Sequence, residues 1–267
     1  MPYFAGPMSD KRARRSLRSM LNFVPSDVRY EPYPLIVLRP AMDQTLYDEL
    51  TRTFPTLDLF DVMPKYDYKL SLSEKLASKN YHRFLTQNAA WNRFHSWIKS
   101  DDFIEQTAAC LKVQHIDLEL DRYFDSVAAR VVGGMKRGRL PGLYPRLHSR
   151  FEFSVLKADG GEVAPHTDTP KKIITLVLSM IREGEWDTRS GGGLQINRAT
   201  DNAYAFNWSN RIVPWNKVEV VETIPFLPNQ CMIFVKTFNS LHSVRKMTQH
   251  GSSALRKTVT IVIEKDD

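Results

Sequence analysis

Cysteine is scarce in this chain. Cys110 and Cys231 are its only two among 267 residues, one on a helical pattern and the other inside a strand pattern, which excludes a disulfide framework. Both thiols are expected to be reduced, in a cytoplasmic setting. Long apolar runs are missing too. The longest, Ile173 to Ile181, is interrupted by Thr175 and Ser179 and falls far short of the roughly 20 residues that span a bilayer, so no membrane span is expected. The start lacks the charged, then apolar, then small-residue order of a secretory signal, and Asp10 argues against an organellar targeting segment. There is no internal repeat and no low-complexity tract.

What is present suits a soluble globular protein: 42% hydrophobic and 25% charged residues, in a chain long enough to bury a sizeable core. The net charge of +7 is in part an N-terminal matter, since Lys11, Arg12, Arg14, Arg15 and Arg18 precede Met20, Leu21 and Phe23. Residues 1–30 therefore read as a basic, loosely ordered arm. It is either solvated or in contact with nucleic acid, anionic lipid or an acidic substrate.

Residues 31–148 read as a helical support region. Tyr33 to Leu38 suggests a short strand, and Asp43 can cap a helix carrying Leu46, Leu50 and Phe54 on one face. Helical patterns follow over Ser73 to Leu85, Asn88 to Ile98 and Asp102 to Val113. Trp91, Phe94 and Trp97 recur at helical spacing, as core residues do. The glycine- and arginine-rich stretch from about 116 to 148 is expected to be a lid. From 149 to 267 strands dominate. Helices first and strands later predict an α+β chain, one integrated domain whose second part is a double-sheet jelly roll.

The chemistry sits in that second part. His166 and Asp168 stand two residues apart, so on extended backbone both side chains leave one face and can meet one cation. His242, from a distant strand, offers a third ligand. Two imidazoles and a carboxylate form the facial triad of non-haem iron sites, with positions left for small molecules. Arg256 shares a strand face with Thr258, opposite Val259, Ile261 and Ile263. A guanidinium can take a carboxylate in two parallel hydrogen bonds and a neighbouring hydroxyl can add a third. Arg245 and Lys257 are rivals for that role. His82, His95, His115, His148 and His250 have no partner at ligand spacing and read as surface or core histidines. Gly191-Gly192-Gly193 precedes no Lys-Ser or Lys-Thr pair, so it reads as a turn or bulge rather than a phosphate cradle. Trp186, Trp208 and Trp215 are either packing residues or the lining of a substrate mouth.

In order along the chain, Pro165-His166-Thr167-Asp168, Lys172 to Leu178, Gly192-Gly193-Leu194, Pro228 to Phe234, His242-Ser243-Val244 and Arg256-Lys257-Thr258 resemble the Fe(II)- and 2-oxoglutarate-dependent oxygenase superfamily, in its prolyl-hydroxylase-like branch. The resemblance covers roughly residues 149 to 264. It implies a double-stranded β-helix buttressed by the N-terminal helices, with Fe(II) on His166, Asp168 and His242. It also implies 2-oxoglutarate held at its distal carboxylate by Arg256 with Thr258, O2 as oxidant, and hydroxylation of an unactivated C–H bond. The chain departs from the family pattern in having Thr258 for the usual serine, Ser190 for the tryptophan before the paired glycines, and Lys157 where relatives place a tyrosine near the cosubstrate. Asp168 stands where halogenating relatives carry a small residue. Val262 stands where nucleic-acid demethylases carry a second arginine.

The basic surplus points to an acidic small molecule, a metabolite or glycan precursor, as substrate. Three other readings stay open: a peptidyl hydroxylase, a cupin-like metalloenzyme without 2-oxoglutarate, and a non-catalytic module that binds nucleic acid through the basic arm, this last disfavoured.

Overall fold

The computed structural model describes residues 19–63, 69–120 and 147–265. The basic cluster from Lys11 to Arg18 and most of the expected lid lie outside those residues. Two antiparallel sheets organise the rest. In chain order the strands are β1 (Asp27–Arg29), β2 (Leu35–Leu38), β3 (Asp61–Val62), β4 (Lys69–Ser73), β5 (Leu147–Lys157), β6 (Val163–His166), β7 (Lys172–Ser179), β8 (Leu194–Ala199), β9 (Val218–Ile224), β10 (Cys231–Val235), β11 (His242–Val244) and β12 (Leu255–Lys265). The large sheet runs β1-β2-β10-β7-β12-β5-β4-β3 and the small one β6-β11-β8-β9.

Side-chain alternation gives each central strand two jobs. On β12, Val259, Ile261 and Ile263 are fully buried on the helical side, while Arg256, Thr258 and Thr260 face a cavity between the sheets. On β5, Phe151, Phe153 and Val155 join the same helical-side core and Arg150, Glu152 and Ser154 face the cavity. The outer face is covered by α1 (Gln44–Arg52), α2 (Ser78–Gln87), α3 (Ala89–Ile98) and α4 (Asp101–Val113). Trp91 meets Phe153 edge-on with ring centroids 4.8 Å apart, and Phe84 meets it at 5.5 Å, an arrangement that suits the opposed charges of ring face and ring edge. Asp43 caps α1 by accepting from the backbone N–H groups of Thr45 and Leu46, satisfying two donors that a helix start otherwise leaves orphaned.

Two elements differ from the sequence expectation. The helix predicted over Ser73 to Leu85 begins only at Ser78, because Ala77 adopts a left-handed conformation (φ 54°) that a continuous helix cannot pass through. Upstream of it, Lys69–Ser73 pairs with β5 instead. The second is β1, which lies inside the stretch expected to be loosely ordered. It pairs with β2, and Arg29 bridges to Glu222 on β9. Thus residues 31–148 supply strands to the large sheet as well as helices to its outer face. Both cysteines are free and buried, and burial pushes the Cys110 thiol up to about 11. Among the described residues no helix is long and apolar enough to cross a membrane.

Between the sheets, Tyr33, Leu35, Val37, Leu194, Ile196, Ile224, Met232 and Phe234 form one apolar cluster. A second, with Leu156, Trp186, Phe226, Val244 and Met247, packs around the Arg256 end. Together they frame a cavity of about 620 Å³.

Candidate metal centre

His166 ends β6 and His242 opens β11, and the two are direct partners in the antiparallel pairing of those strands. Their ring centroids lie 4.4 Å apart. Asp168 stands two residues beyond His166 on the turn into β7. One candidate ligand atom from each of the three lies within 4.8 Å of the others, and all three residues are buried. It is the one such cluster among the described residues. His82, His95, His115, His148 and His250 stand elsewhere, with His95 beside Glu74 and His148 beside Glu264.

Local hydrogen bonds aim the groups. His166 Nδ1 lies 2.9 Å from the Ala164 carbonyl and His242 Nδ1 lies 3.0 Å from that of Ser240. In each ring this contact fixes the tautomer with the proton on Nδ1 and the lone pair on Nε2, the form that binds a metal. Asp168 accepts from Thr175 Oγ1 at 2.6 Å and pairs through its other oxygen with Lys172. Burial opposes ionisation of Asp168, but Lys172 and the two imidazoles outweigh it and hold the carboxyl below its usual range. Burial, reinforced by His242, pushes His166 down to about 3 against the opposing pull of Asp168, and burial lowers His242 as well. The cluster is thus two neutral imidazoles and a carboxylate at neutral pH, a donor set that fits a divalent ion.

Arg256 is 5% exposed and lines the same cavity. Its Nε donates to the Gly192 carbonyl at 2.6 Å and its guanidinium lies 4.4 Å from the centroid of the Phe226 ring. No carboxylate of the described residues pairs with it, and burial alone draws its pKa down to about 10. The two rival cations are turned elsewhere: Lys257 pairs with Glu185 on the opposite face of β12, and Arg245 is exposed over Trp215. Thr258 also lines the cavity, with its hydroxyl 3.4 Å from the Ser154 carbonyl. Lys157 points outward at the end of β5, and Leu156 takes the cavity position beside it.

No protein-family model and no curated protein matches the chain. Among solved structures it is similar to a prolyl hydroxylase of Trichoplax adhaerens in complex with a hypoxia inducible factor oxygen degradation domain peptide fragment (11% identity, 86% of this chain and 83% of that one, TM-score 0.44). It is also similar to a prolyl-4-hydroxylase of Pseudomonas putida (12% identity, 87% and 92% covered, TM-score 0.43). A third is the non-heme alpha ketoglutarate dependent epimerase SnoN from nogalamycin biosynthesis (12% identity, 86% and 76% covered, TM-score 0.44).

Three features of the site escaped the sequence. Thr175 breaks an apolar run, and that interruption is its only signal. Lys172 reads as an ordinary strand start. Trp186 takes the packing role that was one of its two sequence readings, edge-on against Phe226 at 5.6 Å, but nothing in the sequence placed it on the glycine turn, where its Nε1 donates to the Gly191 carbonyl. It therefore walls the glycine turn from four positions upstream of Ser190, where the family pattern has tryptophan. Trp208 and Trp215 do not line the cavity.

Proposed function

We propose that the chain is a non-haem Fe(II) dioxygenase that couples oxidative decarboxylation of 2-oxoglutarate to hydroxylation of a C–H bond in an acidic small molecule. The observation that carries this reading is a buried His166–Asp168–His242 cluster in one cavity with a buried Arg256 that lacks a carboxylate partner among the described residues. The strand orders β10-β7-β12-β5 and β6-β11-β8-β9, taken as facing halves, support reading the two sheets as a double-stranded β-helix.

In this reading His166, Asp168 and His242 hold Fe(II), which when bound supplies oxygen activation with 2-oxoglutarate as co-reductant. The residues present do the rest. Carbonyl partners keep both imidazoles aimed, Thr175 holds the Asp168 carboxylate in place, and Lys172 keeps it charged. Arg256 neutralises the distal carboxylate of 2-oxoglutarate, with Thr258 beside it; the low dielectric around that guanidinium makes the pairing stronger than at a surface. Leu194, Phe234 and Val244 exclude water from the neighbouring wall.

Anaerobic addition of 2-oxoglutarate to the Fe(II)-loaded protein is expected to raise a new visible absorption band. Its absence would favour a cupin-like enzyme that works without 2-oxoglutarate. Succinate release across a metabolite library then identifies the substrate, and substrate-dependent CO2 release should vanish in Asp168→Ala. Undiminished turnover by that variant would reject the ligand assignment.

A further inference from the structure

The cavity has a second cationic end. Arg150 pairs across β12 with Val262, whose other neighbour is Thr175, the residue that donates to Asp168. Two strand spacings therefore separate the backbones of Arg150 and Thr175, about 10 Å. Arg256 lies at the far end of β12, roughly 20 Å of extended chain from Val262. Arg150 is thus level with the metal cluster, and a cosubstrate reaching from that cluster toward Arg256 leaves the Arg150 side open.

Arg150 Nε is buried and has no hydrogen-bond partner among the described residues. Among the described residues it has a loose ion pair with Glu264, whose Oε1 is 3.7 Å away, too far for a hydrogen bond, and that oxygen also faces His148 Nε2 at 3.2 Å. Lys75 lines the same cavity from the turn just past Ser73, the residue that pairs with Glu152 next to Arg150 on β5. It makes no ion pair among the described residues. Lys69, by contrast, is satisfied by Glu152 at 2.7 Å.

We propose that Arg150 and Lys75 form an oxyanion subsite that grips a carboxylate or phosphate of the substrate, on the side of the metal cluster away from Arg256. The subsite rests on the oxygenase reading for its meaning and not for its existence. It selects small substrates whose anionic group lies within a few bonds of the oxidised carbon, because Arg150 stands level with Thr175 and Asp168. Glu264 competes with the ligand for Arg150, which sets the subsite for a strong anion and against neutral polar groups.

The test uses the full chain carrying Arg256→Gln, so that the other buried guanidinium does not compete. Inorganic phosphate and acetate, representing the two sources of an oxyanion, are titrated by calorimetry at low ionic strength. Binding of at least one is expected, with affinity reduced about tenfold by adding Arg150→Gln, since a charge-assisted hydrogen bond is lost. A smaller loss is expected with Lys75→Gln, and a gain with Glu264→Gln. Lys75 is exposed, so its variant keeps the test open if Arg150→Gln does not fold. Binding of neither anion, or equal affinity with and without Arg150 and Lys75, overturns the proposal. Anion binding that obeys these substitutions, with no spectral response to Fe(II) and 2-oxoglutarate from the chain that retains Arg256, would sink the oxygenase reading alone; the converse result would sink the subsite alone.

Discussion

A buried guanidinium facing a cavity without a counter-ion is unfavourable unless something arrives to meet it, and among the described residues Arg256 is in that position. Its aim is set by Gly192 and Phe226 rather than by charge, so Arg256→Lys keeps the cation but loses both the donor to Gly192 and the flat stacking face. Half-saturation by 2-oxoglutarate should rise about tenfold or more in Arg256→Ala and recover only partly in Arg256→Lys. An unchanged value in steady-state succinate assays would show that another cation does the work. Thr175 offers a cleaner case, since Thr175→Val removes a single hydroxyl from Asp168 and little volume. Fe(II) affinity should fall about tenfold, by analogy with other groups that brace a metal ligand; equal affinity in an anaerobic metal titration would reduce Thr175 to a packing residue.

Among the elements, the turn before β8 has little freedom. Gly192 sits at φ 77°, and a Cβ there would lie 2.8 Å from Trp186 Cζ2 and 3.3 Å from Arg256 Cδ. Gly192→Ala should therefore cost roughly 1–3 kcal/mol of stability through strain and also weaken 2-oxoglutarate binding by displacing Arg256, measurable by denaturant unfolding and cosubstrate titration. The sequence shows this turn as paired glycines but not its tryptophan wall, because Trp186 reaches it through space. The same division runs through the fold. β7, β10 and β12 were legible because long apolar or alternating runs mark them. Asp43 was legible as a cap because its donors lie within three residues. The short strands β1, β3 and β4 were not, since two to five residues carry too little pattern and their pairing is decided by partners, β2 for β1, β5 for β4 and β4 for β3. His166 and His242 were legible as chemistry, while their strand-to-strand partnership was visible only once folded.

At the scale of the molecule, the aromatic layer and the cavity carboxylates set stability. Phe153→Ala removes the ring around which Trp91, Phe84, Tyr81 and Phe54 gather, and about 3–5 kcal/mol should be lost in chemical denaturation. Glu152 gives the acid limb. Burial resists its ionisation, but Lys69 and Ser154 more than offset that and draw its pKa from 4.5 to about 2. A carboxyl depressed in the folded state contributes stability above its unfolded pKa and loses it as pH falls toward the folded one. Thermal unfolding should therefore move to lower temperature between about pH 4.5 and pH 2, and Glu152→Gln should flatten that slope; an identical slope would assign the acid limb to other carboxylates.

Asp168 belongs to the turn leaving the small sheet, yet the hydroxyl that steadies it comes from β7 of the large one. An ion gripped by His166, His242 and Asp168 is for that reason riveted to both halves of the sandwich, and prying them apart would loosen the rivet. Metal loading and closure of the two layers then become linked equilibria, each raising the midpoint of the other. The protein would report its own integrity through how tightly it retains a metal ion at that cluster.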